Sequence, residues 1–190
     1  MKILPMATLA ALIASPALAH TGVGHADGFV HGLTHPILGP DHLLAMLAVG
    51  LWSGFVLPKR LWLGAAAFLA AMAAGAAMSW AGIAYPAVEA VILASVLAFG
   101  LLTLVSRRGQ AHGLTLAALA MIAAFASAHG HAHATEATGN AAAYLAGFLI
   151  ATAGLHLVGI ALARRVAAWP LAQPLMGAGI ALSGLALMAG

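Results

Sequence analysis

The chain has 190 residues, of which 64% are hydrophobic and only 6% are Asp, Glu, Lys or Arg, with a formal charge of +3. A soluble domain carries roughly 25% charged residues, so a water-covered globule is excluded and an integral membrane protein remains. Cysteine is absent, which rules out disulfides, thiolate metal sites and cysteine nucleophiles, whereas the ten histidines outnumber each of Asp, Glu, Lys and Arg.

Residues 1–19, "MKILPMATLAALIASPALA", join a lysine, a short apolar run and a terminal Ala-Leu-Ala. That pattern predicts a secretory signal peptide with an A-x-A cleavage site, so that the mature chain starts at His20 outside the cytoplasm. An apolar run of about 20 residues spans a bilayer as a helix. Six follow, at 37–57, 61–82, 86–105, 112–129, 141–163 and 171–189. Lys59 and Arg60 follow the first, Arg107 and Arg108 the third, Arg164 and Arg165 the fifth. All basic residues beyond the signal thus fall in alternate loops, and the positive-inside rule makes that side the cytoplasm. The basic balance is therefore topological, with no call for nucleic acid. The prediction is an all-α, multi-pass protein of the cytoplasmic membrane, with both mature termini on the outer side. Residues 20–190 form one domain, a compact six-helix bundle whose Ala- and Gly-rich spans pack closely. The tetrapeptide "HGLT" recurs at 31–34 and 112–115, a short hint of two oppositely oriented halves.

The first span opens on "HPILGPDH", residues 35–42. On one straight helix His31, His35 and His42 would fall within about 40° of each other. Pro36 and Pro40 oppose a straight helix, since proline lacks an N–H and clashes with the preceding turn. The expectation is a segment over 28–38, a break near Gly39-Pro40, and a long helix with Asp41 and His42 in its first turn. Such breaks are tolerated at membrane depth where the backbone is buried in protein or lines a cavity. Glu89 falls about one turn into the third predicted span. A carboxylate there costs about 2.5–3.5 kcal/mol even on lenient insertion scales, and no Lys or Arg lies at that depth. Its expected partner is a cation or the histidines. The fourth span ends in "HGHAHATE", residues 129–136, where His129, His133 and Glu136 share one helical face. His156 lies in mid-membrane on the fifth span, and His112 at the cytoplasmic mouth of the fourth.

Neutral imidazoles with carboxylates suit borderline divalent metals such as nickel, cobalt and zinc. The candidate ligands are His35, Asp41, His42, Glu89, His129, His133, Glu136 and His156, with His20, His25, Asp27, His31 and His112 as outlying members. His131 reads equally as an adventitious ligand on a loop, His156 as a core histidine bonded to a carbonyl, and the methionines as packing filler.

These motifs resemble the HupE/UreJ family of nickel and cobalt permeases. The family pattern His-Pro-x-x-Gly-x-Asp-His matches residues 35–42 without a gap. The segment His-Gly-x-Ala-His-Gly-x-Glu is similar to residues 129–136, with Ala134 in place of the second glycine and Ala128 in place of a preceding aromatic. The surroundings of Glu89 and the Leu-His at 155–156 also look like family positions, so the likeness covers nearly all of the mature chain. It implies import of Ni²⁺ or Co²⁺ for metalloenzymes such as hydrogenase or urease, without a prosthetic group and without enzymatic activity. In that picture His20, His25 and Asp27 concentrate the ion, and His35, Asp41 and His42, with Glu89 opposite, strip and hold it. His129, His133 and Glu136 relay it, and His156 and His112 pass it inward. Two other classes remain open: an intramembrane zinc hydrolase, against which stands the absence of an HExxH signature, and a metal-binding accessory or sensor protein that does not conduct.

Overall fold

The computed structural model describes residues 28–137 and 139–190. The expected signal peptide and cleavage site, with His20, His25 and Asp27, lie outside the described residues. Among the described residues seven helices follow in chain order: α1 (Gly28–Leu38), α2 (Pro40–Val56), α3 (Trp62–Trp80), α4 (Val88–Val105), α5 (His112–Glu136), α6 (Ala141–Val166) and α7 (Ala172–Ala189). Five of them, α3 to α7, are long and apolar enough to cross a membrane, and the bent pair α1 and α2 brings the count to six if it forms one span. The protein is an all-α membrane protein.

The break falls where the prolines put it. Pro40 opens α2 at the first helical position, where its missing N–H costs nothing. Gly39 precedes it in extended geometry, and α1 and α2 meet at 78°. The main departure from expectation is α5, which runs on to Glu136 rather than ending near 129. Its histidine-rich end is a buried helical turn: His129, Gly130, His131, Ala132 and His133 are all buried. α6 begins with a side-chain cap, Asn140 Oδ1 accepting the Ala143 N–H at 3.0 Å.

The bundle is inverted relative to a soluble protein. On α6 the adjacent residues His156 and Leu157 are 0% and 65% exposed. Leu116, Ile150, Leu182 and Leu185 likewise face outward, as a lipid-covered surface requires. Helix pairs approach backbone to backbone through glycine, because dispersion contacts between close helices replace the hydrophobic effect in lipid. A Cβ on Gly130 of α5 would strike the Met72 carbonyl of α3, and one on Gly75 of α3 would strike the Ser127 carbonyl of α5. Gly50 and Gly159 join α2 to α6 in the same way. These crossings hold α5 against α3 and α2 against α6.

At the end bearing the arginines the interior is closed. Trp52, fully buried, donates from Nε1 to Ser106 Oγ at 3.0 Å. Gln173 of α7 donates from Nε2 to the carbonyls of Thr103 and Ser106, at 2.9 and 2.6 Å, which satisfies acceptors that the end of α4 leaves open. The opposite end holds the break between α1 and α2, the end of α5 and the start of α6, and there the polar chemistry gathers.

Candidate metal centre

Three histidines from three helices converge beneath the break: His35 near the end of α1, His42 in the first turn of α2 and His133 in the last turns of α5. Each offers one ring nitrogen, and the three nitrogens lie within 4.8 Å of one another. The bend places them, since a straight α1–α2 helix would carry His35 and His42 one above the other along its axis instead of turning both rings onto His133. The centroids of His35 and His42 lie 4.8 and 4.5 Å from that of His133. Phe148 of α6 packs on His133 at 3.9 Å and fixes the plane of that ring.

Hydrogen bonds assign which nitrogens are free. Asp41 Oδ1 accepts both the His42 backbone N–H at 2.9 Å and the His42 Nδ1–H at 2.8 Å. The lone pair of His42 is then on Nε2, which is buried and has no hydrogen-bond partner. A carboxylate holding the far side of an imidazole is the usual means of orienting a metal ligand and raising its basicity. Asp41 therefore stands behind His42, its Oδ1 holding the ring through Nδ1. Both ring nitrogens of His133 are buried without hydrogen-bond partners. Glu136 Oε2 sits 3.5 Å from His133 Nδ1 and 3.7 Å from His35 Nε2, beyond good hydrogen-bond length but close enough to add negative charge. With Asp41, it gives the cluster two carboxylates, enough to balance the charge of a divalent ion. Asp41 and Glu136 retain 19% and 26% side-chain exposure and so mark the open side of the cluster.

His129 lies one turn deeper on α5, fully buried, with its ring centroid 5.0 Å from that of His42. Ser95 of α4 donates its hydroxyl to the Ile92 carbonyl at 2.6 Å, so its oxygen accepts from His129 Nε2 at 3.0 Å. That leaves the His129 lone pair on Nδ1, which has no partner. His156 is deeper again, on α6. Its Nδ1 lies 2.8 Å from the Met46 carbonyl, which can only accept, so Nε2 carries the lone pair and is unpartnered. His156 thus has the carbonyl bond foreseen for a core histidine and a free nitrogen besides.

The remaining candidates fall elsewhere. Glu89 does not join the cluster. α4 begins at Val88, so Glu89 is exposed in the first turn of its helix, where unpaired N–H groups and the helix dipole stabilise a carboxylate and no buried cation is needed. The residue by which α4 reaches the histidines is Ser95. His112 is exposed at the first residue of α5, about 30 Å along that helix from His133 at 1.5 Å per residue. His31 is half-buried above the cluster, its centroid 5.8 Å from His35 and 5.3 Å from Tyr144. His131 is not on a loop. It points to the other side of α5, where Nε2 donates to the Ile83 carbonyl at 2.8 Å and ties down the α3–α4 connection.

Phe68, Ser95, Tyr144 and Phe148 were not singled out in the sequence. Tyr144 and Phe148, at i, i+4 on α6, carried the one local signal, an aromatic pair facing a histidine-rich helix end. Replacing Asp41 by asparagine is expected to weaken metal binding by about 10–100-fold, the usual cost of losing a histidine's orienting carboxylate. The amide can accept the same Nδ1–H, so the helices stay packed; an equilibrium metal titration with circular dichroism alongside checks both parts.

The chain matches the family described as HupE / UreJ protein over residues 8–187. It is 40% identical over 195 residues to the protein named Protein HupE of Rhizobium leguminosarum bv. viciae, covering the whole of both chains. No solved structure matches it.

Proposed function

The chain belongs to the HupE / UreJ family, and from that premise we propose that it is a permease carrying Ni²⁺, with Co²⁺ as the alternative cargo, into the cell across the cytoplasmic membrane. The carrying observation is the set of three buried histidines whose ring nitrogens lie within 4.8 Å of one another at the broken start of the first span. Imidazole donors with carboxylates nearby suit Ni²⁺ and Co²⁺, while the absence of thiolates disfavours softer ions. In this reading residues 20–190 form one six-span domain, the signal peptide is removed, the basic turns face the cytoplasm and both termini lie outside.

The ion enters past Asp41 and Glu136, whose charge offsets the cost of stripping its water. It is held by His35, His42 and His133, then passes to His129 and on toward His156. His31 lies on the approach, and His20, His25 and Asp27 raise the local ion concentration outside. Each step offers an incomplete ligand set, so binding stays weak enough for release. The protein supplies donors and a path rather than bond-making chemistry.

Uptake of radioactive nickel into proteoliposomes tests the proposal. The wild-type protein is expected to give saturable uptake, competed by cobalt. His42→Ala is expected to lower it by roughly a hundredfold or more, since losing a ligand costs at least as much as losing its orienting partner. Tight binding without flux would sink the permease reading and leave a metal-binding accessory protein or a zinc hydrolase.

A further inference from the structure

His156 and Thr152 are one helical turn apart on the same face of α6, and both are 0% exposed. His156 Nε2 and Thr152 Oγ1 are both buried without any hydrogen-bond partner. Orphaned polar atoms in a bundle interior oppose folding unless something satisfies them. One orphan could be an accident of packing, but two on one face, with the histidine tautomer locked by the Met46 carbonyl at 2.8 Å, make a prepared donor pair. Phe68 of α3 packs against His156. Its ring centroid lies 5.5 Å from that of His129 and 5.0 Å from that of His156, so it touches the last imidazole of the outer group and the inner one.

We infer that His156 Nε2 and Thr152 Oγ1 form a second, inner position for a borderline divalent cation, separated from the three-histidine centre by the Phe68 ring. The inference rests on the permease reading, because an inner position serves a cation that moves on. A divalent ion leaving the outer centre faces an interior lined by Phe68, Phe99 and Met72, all fully buried, where an unliganded charge is costly. One imidazole nitrogen and one hydroxyl, with water retained by the ion, lower that cost. Asp41 and Glu136 both lie at the outer cluster, and the inner pair has neutral donors alone. It binds more weakly, so an ion that reaches it can leave.

Co²⁺ titration of the purified full-length protein in detergent, followed by visible absorption, is the test. Wild type is expected to show a tight class of site and a weaker second class. His42→Ala should lose the tight class and keep the weak one. His156→Ala should do the reverse, its retained tight class proving that the bundle is folded. Thr152→Val keeps the side-chain shape and removes the hydroxyl. It is expected to weaken the second class about tenfold without moving the first, and Thr152→Ser to restore it. A single class abolished by His42→Ala would overturn the inner position and leave the permease proposal standing. A weak class unchanged in His156→Ala or Thr152→Val would overturn it too. Absence of any His42-dependent class would remove the outer centre, and with it the ground for both.

Discussion

Replacement of His133 by leucine is expected to raise the thermal stability of the protein while lowering nickel uptake by roughly a hundredfold or more. The two effects have one cause. His133 is 1% exposed and neither ring nitrogen has a hydrogen-bond partner; a buried polar group left so costs about 1–3 kcal/mol. Leucine fills a similar volume against Phe148 and has no polar atom to leave unpaired, so it removes the penalty. It also removes the residue that touches both other members of the cluster, at ring distances of 4.8 and 4.5 Å. A side chain kept for packing would give the opposite pair of results, with stability falling and uptake tracking the amount of folded protein. Thermal unfolding in detergent and uptake into proteoliposomes, measured on one preparation, separate the two. A His133→Leu variant that melts lower and transports normally would show that the cluster is structural.

The second large effect is expected at Gly130, between His129 and His131. A Cβ there would meet the carbonyl, C and Cα of Met72, all backbone atoms that cannot swing aside as a side chain would. Gly130→Leu must therefore push α5 away from α3. Overpacking of a well-filled interior typically costs 1–3 kcal/mol, and a rigid backbone contact belongs at the upper end of that range or above it. Even a variant that inserts correctly would carry His129 and His133 out of register with His42, so uptake is expected to fall with no ligand altered. Gly154→Ala is the matching control. Nothing lies within 4 Å of a Cβ at that position, and alanine is favoured over glycine inside a helix by about 1 kcal/mol. That variant is expected to fold at least as well as wild type. Yield of monodisperse protein and nickel uptake, compared across the two, give the readout. Normal packing and uptake in Gly130→Leu would mean that α3 and α5 are not held in the register described.

Much of this organisation was legible in one sequence. Composition alone required a membrane protein, because so few charged groups cannot cover a globule with a water-facing surface. The apolar runs located the long helices to within a few residues except at the end of α5, which runs on to Glu136, and Gly39-Pro40 located the break, because proline's geometry is local and needs no tertiary context. His129 and His133 were correctly paired by helical spacing for the same reason. Glu89 shows where that logic stops. Its place in an apolar run suggested a buried charge needing a cation, but a shift of two residues in the helix start moves it to the exposed first turn, and helix ends are the least legible part of a sequence.

Periodicity, proline chemistry and charge placement thus determined that the chain is a helical membrane protein, where its first helix breaks and which residue types could hold a cation. These are properties of residues and their near neighbours along the chain. The tertiary structure alone decided that α1, α2 and α5 deliver His35, His42 and His133 to one point. It also set Ser95 of α4 against His129, and Phe68 of α3 against both His129 and His156. Each of these depends on contacts between distant stretches, such as Ser95 with His129, 34 residues apart. In lipid those contacts are set by glycine-sized close fits between helices, whose pairing no single stretch of the chain contains.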